Sequence, residues 1–298
     1  MAMPDSESVS RSLKTPIFLV HPPFKTLAKA VDTALKGTTV KTITIIGTLN
    51  STSEGTREFY ITNNGTAEIL ITGKSDSEKG YLMNYSGYGG GIKISGKSQV
   101  RFENVVISGG YQGGGGGGMN ISEAAVTLGK GVEIRRNRAS NNGWGGGVRL
   151  NSGTLTMLEG AEISENIVSI YASGNYDAYS RGGGVYVAGG TFIMSGGTIS
   201  GNTGSNGGGV YGSVIMSGGS ISGNTTNGNG GGVYGSVIMS GGSISGNTAN
   251  GNGGGVSGSV IMSGLMFIHK SKSAKKLSKS DFVFDGICCF FGIHRQQF

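Results

Sequence analysis

Six charged side chains form the one grouping of acids and bases that suggests catalysis. Glu133, Arg135, Arg136 and Arg138 lie together, and in a matching stretch Glu162 follows 29 residues after Glu133, with Glu165 three residues further on. Hydrolysis of a polysaccharide needs clustered carboxyl groups; elimination needs acids that hold a cation beside a basic residue. Glu133 and Glu162 fall at equivalent outward positions, so stacking of the two stretches would bring them near one another. A solvated charged face explains the same residues without any chemistry, and that is the reading adopted here.

A second constellation suits binding. The segment between residues 166 and 182 lengthens one repeat to 37 residues and carries Tyr171, Tyr176, Asp177 and Tyr179. Trp144, the single tryptophan, falls at the matching corner one repeat earlier. Aromatic faces with an acid nearby suit sugar stacking, and loops on a rigid scaffold often carry function. A tolerated insertion accounts for the segment equally well.

Other candidate chemistry fails on its residue types. Asn137, Asn166, Asn202, Asn224 and Asn247 recur in register and are expected to form a buried turn ladder rather than a ligand row. Met194, Met216, Met239 and Met262 recur likewise and read as core filling rather than oxidation sensors. The glycine run 113–118 is followed by neither Lys-Ser/Thr nor a helix, so it is no phosphate loop. Val-Tyr or Val-Ser follows each later glycine triplet, where a calcium-binding repeat would need Asp. No cofactor or metal is expected.

Composition narrows the class. Glycine makes up 60 of 298 residues and charged residues 14%, against about 7% and 25% in ordinary chains. Without a G-X-Y period this is not collagen, and the regular recurrence of Val, Ile and Met argues against a disordered linker. The net charge of +7 is unevenly placed. The 83 residues 182–264 carry no Asp, Glu, Lys, Arg or His, whereas 265–298 carries six Lys or Arg against two Asp, a net +4. No basic stripe interleaved with aromatics is present, so no nucleic-acid partner is expected. Cys288 and Cys289 are adjacent and imply no disulfide framework. The apolar stretch at Ile17-Phe18-Leu19-Val20 is too short for a signal-peptide core. No apolar run reaches the ~20 residues of a membrane span.

A repeat must position all of these residues. Gly-Gly-Gly-Val recurs with Val185, Val210, Val233 and Val256, at spacings of 25, 23 and 23 residues. Each copy continues to a methionine, and the first three then to Ile-Ser-Gly-Asn. In Val214-Ile215-Met216 the period of two puts Val214 and Met216 on one face and Ile215 on the other. Such short strands, separated by Gly, Ser and Asn, bury their apolar residues only by stacking coil on coil. The pattern predicts an all-β chain, a right-handed parallel β-helix with three short strands per coil. Tyr186, Tyr211 and Tyr234 should line up on one face, and Ile193, Ile215, Ile238 and Ile261 on another. The Ile row is a surface for self-association or for cover by the tail. Leu27, Ala30, Val31, Ala34 and Leu35 share one face of an amphipathic helix over 25–37, which would cap the first coil. The expected organisation is a disordered or extended segment 1–24, the helix 25–37, and the β-helix 38–264, degenerate to about residue 181 and regular from 182. Residues 265–298 read as a non-repeat tail, either a cap or sequence foreign to the repeat.

The alternation of Gly-Gly-Gly-Val with Ile-Ser-Gly-Asn resembles the paired repeats of glycine-rich bacterial surface proteins of the pectin-lyase-like β-helix type. It is similar to the repeats of polymorphic outer membrane proteins. The resemblance covers about residues 25–264. It implies an extracellular or cell-surface protein that is adhesin-like or a display scaffold, without enzymatic activity, whose partner is a host or cell-surface protein or a glycan. The alternative is a carbohydrate-binding or polysaccharide-cleaving β-helix acting through its irregular first half.

Overall fold

The computed structural model describes residues 17–20, 27, 30–31, 41–50, 58–62, 68–83, 90–113, 115–140, 143–168, 180–263 and 282–284. Short strands wind into a solenoid, each pairing in parallel with its counterpart one coil away. Four sheets run along the stack, with 11, 8, 8 and 6 strands among the described residues.

One coil shows the pattern. Val210–Tyr211, Val214–Met216, Ser220–Ser222 and Thr225–Thr226 each add one strand to a different sheet. The expectation of three strands per coil is corrected to four, beginning with the coil that contains Tyr111–Gly113. The fourth strand follows each ladder asparagine and is two or three residues long. Its inward positions hold Ala139, Val168, Thr226 and Ala249, all buried. A strand that short carries no period-two signal, and only the pairing of its backbone with the coils on either side defines it.

The pairing register is fixed by the apolar residues. Val185, Val210, Val233 and Val256 pair in succession. Leu128, Met157, Met194, Met216, Met239 and Met262 form a second inward column. Ile134, Ile163, Ile199, Ile221 and Ile244 form a third. These columns merge into one continuous hydrophobic core. Slipping any strand by one residue would turn its column to solvent.

Two corners constrain the sequence. At the glycine triplet the coils approach so closely that a Cβ on Gly208 would sit 2.5 Å from the Gly231 carbonyl oxygen. At the corner before the ladder asparagine, Gly201, Gly223 and Gly246 adopt φ of 62° to 64°. Arg136 and Glu165 hold the same left-handed corner at φ 54° in the degenerate coils.

The asparagines form the expected ladder. The side-chain amides of Asn137, Asn166, Asn202 and Asn224 each donate to the Oδ1 of the next, at 2.9–3.0 Å. Each also donates to a backbone carbonyl, as Asn224 does to Ile199. Every buried lone pair and N–H thus used offsets its loss of water.

Both ends of the largest sheet extend past the regular coils. Ile17–Val20 pairs with Lys41–Ile45 in the segment expected to be disordered or extended, and Phe282–Phe284 pairs with Val260–Met262 in the tail. Leu27, Ala30 and Val31 are buried in the common core, and the rest of the helix expected over 25–37 lies outside the described residues. On the outside of that sheet Ile215, Ile238 and Ile261 are 41–49% exposed, and Ile193, half-buried, continues their row.

Candidate binding cleft and aromatic rank

Glu133, Arg135, Arg136 and Glu165 of the charged cluster are engaged in ion pairs. Glu133 and Glu162 are register partners, as their spacing implied. Glu133 pairs with Lys79 and, at 2.9 Å, with Arg135. Arg136 bonds Glu165 at 2.7 Å. That contact and the Arg136 charge hold the Glu165 carboxyl below its ordinary pKa, and the same contact with the Glu165 charge raises the guanidinium above its own. Among the described residues no group of three or more His, Cys, Asp or Glu is placed to hold a metal.

Trp144 pairs through its backbone with Arg181. Its ring stacks on Tyr186 with centroids 5.7 Å apart and planes inclined by 20°. Tyr186 and Tyr211 continue the stack at 5.4 Å, and Tyr211 and Tyr234 at 5.0 Å. The guanidinium of Arg149 lies 4.5 Å from the Trp144 ring centre, and that of Arg181 lies 4.9 Å from Tyr211. Trp144 therefore heads the tyrosine rank rather than standing apart from it. Tyr171, Tyr176, Asp177 and Tyr179 lie outside the described residues, as do Cys288 and Cys289.

Sequence reasoning missed the upstream half of this face. Tyr60, Lys93, Asn120, Arg149 and Tyr186 are successive register partners, so one outward column runs from the early coils into the tyrosine rank. A signal for it exists in the sequence. Each residue is the middle of an apolar triplet: Phe59-Tyr60-Ile61, Ile92-Lys93-Ile94, Met119-Asn120-Ile121 and Val148-Arg149-Leu150. Period two sends the flanks inward and the middle outward.

A cleft of about 330 Å³ opens over this column, lined by Tyr60, Lys93, Gln112, Asn120, Arg149 and Asn151 together with Ser95, Ser122 and the glycine run. Its wall is built on Glu58, a buried carboxylate. Lys93 pairs with Glu58 at 2.6 Å, the Tyr60 hydroxyl donates to it at 2.9 Å, and Gln112 Nε2 donates at 2.9 Å. The Gly90 N–H adds a fourth bond at 3.1 Å. Burial alone would raise the Glu58 pKa. The bonds from Lys93, Tyr60 and Gly90, with the Lys93 charge, outweigh burial and leave it below the ordinary value. Gln112 Oε1 accepts from Asn120 Nδ2, whose Oδ1 accepts from Gly116 N–H at 2.9 Å. One network thus joins three coils. Burial lowers the Arg149 pKa, against the influence of Tyr186.

The cleft presents two cationic side chains, three amides and two serine hydroxyls, and among the described residues no acid or histidine lines it. Ser122 Oγ accepts from Asn151, and Ser95 shares a hydrogen bond with Thr62. The arrangement offers positive charge, hydrogen bonds and aromatic edges to a ligand. It shows no nucleophile beside a base. The chain matches no protein-family model, no curated protein and no solved structure.

Proposed function

We propose that this chain is a non-enzymatic, secreted or cell-surface β-helix that acts as an adhesin-like protein. The carrying observation is the outward column from Tyr60 through Lys93, Asn120 and Arg149 to Tyr234, one face that changes from a polar cleft to an aromatic rank. A rigid rod with an ordered row of aromatic and cationic side chains is suited to holding a host or cell-surface partner. The winding is right-handed, in keeping with the strong preference of parallel strand crossovers. The helix over 25–37 closes the first coil, which the burial of Leu27, Ala30 and Val31 supports.

The cleft favours one second reading, a carbohydrate-binding role for the irregular first half. Polysaccharide cleavage has less support, because Glu58 is committed to Lys93, Tyr60 and Gln112. Two measurements test these readings: retention of the intact chain on host-cell surfaces and glycan arrays, and reducing-end release from a polysaccharide panel. Retention without release is expected. Sustained release would overturn the non-enzymatic assignment, and absence of retention would overturn adhesion.

A further inference from the structure

The cleft is more specific than a generally adhesive face. The Arg149 guanidinium lies over the Trp144 ring, 4.5 Å from its centre. A guanidinium carries its N–H groups in one planar fork, the geometry that takes a carboxylate with two parallel bonds. At the other end Lys93 is anchored by Glu58 and lies 5.6 Å from the Tyr60 ring centre. Asn120 stands between them in register, and Gln112, Asn151 and Ser122 complete the polar lining.

The composition of the lining selects among anions. A bare sulfate or phosphate needs donors only. Amides and hydroxyls that both donate and accept suit a ligand with several hydroxyl groups. About 330 Å³ lies near the lower bound of ligand sites and suits one sugar residue rather than a chain laid along the rod. The glycine run is part of the fit: a Cβ on Gly115 would meet Gln112 Oε1 at 2.4 Å.

We propose that this cleft binds a single carboxylate-bearing sugar residue, with the carboxylate on Arg149 and the hydroxyls on Asn120, Gln112, Asn151 and Lys93. The proposal rests on the adhesive reading and gives that reading a ligand class. A terminal sialic acid and a uronic acid share this chemistry.

Calorimetric titration of the intact chain tests it with four probes: sialyllactose, a glucuronic-acid disaccharide, lactose and inorganic sulfate. One or both acidic sugars should bind at least about tenfold more tightly than lactose or sulfate, since a charge-assisted bond is worth about that much. The tighter of the two identifies the source. Arg149→Gln should weaken binding of that sugar about tenfold, Arg149→Lys by less, because it keeps the charge and loses the fork. Gly115→Ala should weaken it by displacing Gln112, and Glu165→Gln should leave it unchanged. Thermal melts establish which variants fold; if Arg149→Gln does not, Arg149→Lys and Gly115→Ala decide. Equal binding of lactose, no binding of either acidic sugar at about 10 mM, or a folded Arg149 variant that binds as the parent does would each overturn the site. Cell retention that persists in an Arg149 variant unable to bind sugar would leave adhesion standing and remove the cleft from it.

Discussion

Glu58 and Asn224 show how single buried polar side chains hold this solenoid together. Glu58 serves four donors drawn from the early coils. Its folded pKa is lowered, so its contribution to stability is complete above the unfolded carboxyl value of about 4.5. That contribution is lost as the pH falls through the lower folded value. The melting temperature of the parent should therefore drop between about pH 5 and pH 3, and Glu58→Gln, already weaker at neutral pH, should drop less over the same window. Asn224 accepts from Asn202 through both its backbone N–H and its Nδ2, and donates to Asn247 and to Ile199. Asn224→Ala should cost about 2–4 kcal/mol in urea unfolding, because several buried groups lose their partner at once. A loss within experimental error would show that water enters the ladder. The ladder was legible in the sequence because its residue type repeats. The cleft was not, because Tyr60, Lys93, Asn120 and Arg149 share a slot but no chemistry.

At the scale of the strand and corner, glycine acts in two ways that substitution separates. Gly223 sits at φ +64° with nothing nearer than 4.0 Å to an added Cβ, so Gly223→Ala meets backbone strain alone, about 1 kcal/mol. Gly208→Ala places a methyl against the next coil and should cost about 2 kcal/mol more. Comparable urea midpoints for the two variants would show that the coils can separate locally. Arg136 and Glu165 occupy the left-handed corner in the degenerate coils, which agrees with a corner set by φ rather than by space. The Ile row belongs to the same scale. Replacing Ile215, Ile238 and Ile261 with Thr should leave melting nearly unchanged, since all three are exposed, and should reduce any self-association seen by light scattering. The strand alternation that exposes them was readable, as Val214-Ile215-Met216 shows. The fourth strand was not, because Thr225–Thr226 and its counterparts are too short to alternate and take their identity from pairing.

For the whole molecule, near-identical coils mean that length is a variable. Removing residues 210–232 joins Gly209 to Val233 and leaves every register pair downstream intact. That variant should remain folded, with a slightly lower melting temperature and a rod about 5 Å shorter by small-angle scattering. Removing one residue fewer should misplace the following column and abolish cooperative melting. The asparagine ladder adds a property that length alone does not. All four amide links point the same way, each donating toward the C-terminal coils. Their dipoles therefore add, and hydrogen bonds in a chain polarise one another. The row ends on its positive side at Asn247, past which no sixth asparagine continues it among the described residues. Growth or closure of the stack at that end calls for an acceptor, a carbonyl or a carboxylate, so the two ends of the solenoid differ in electrical sense as well as in sequence.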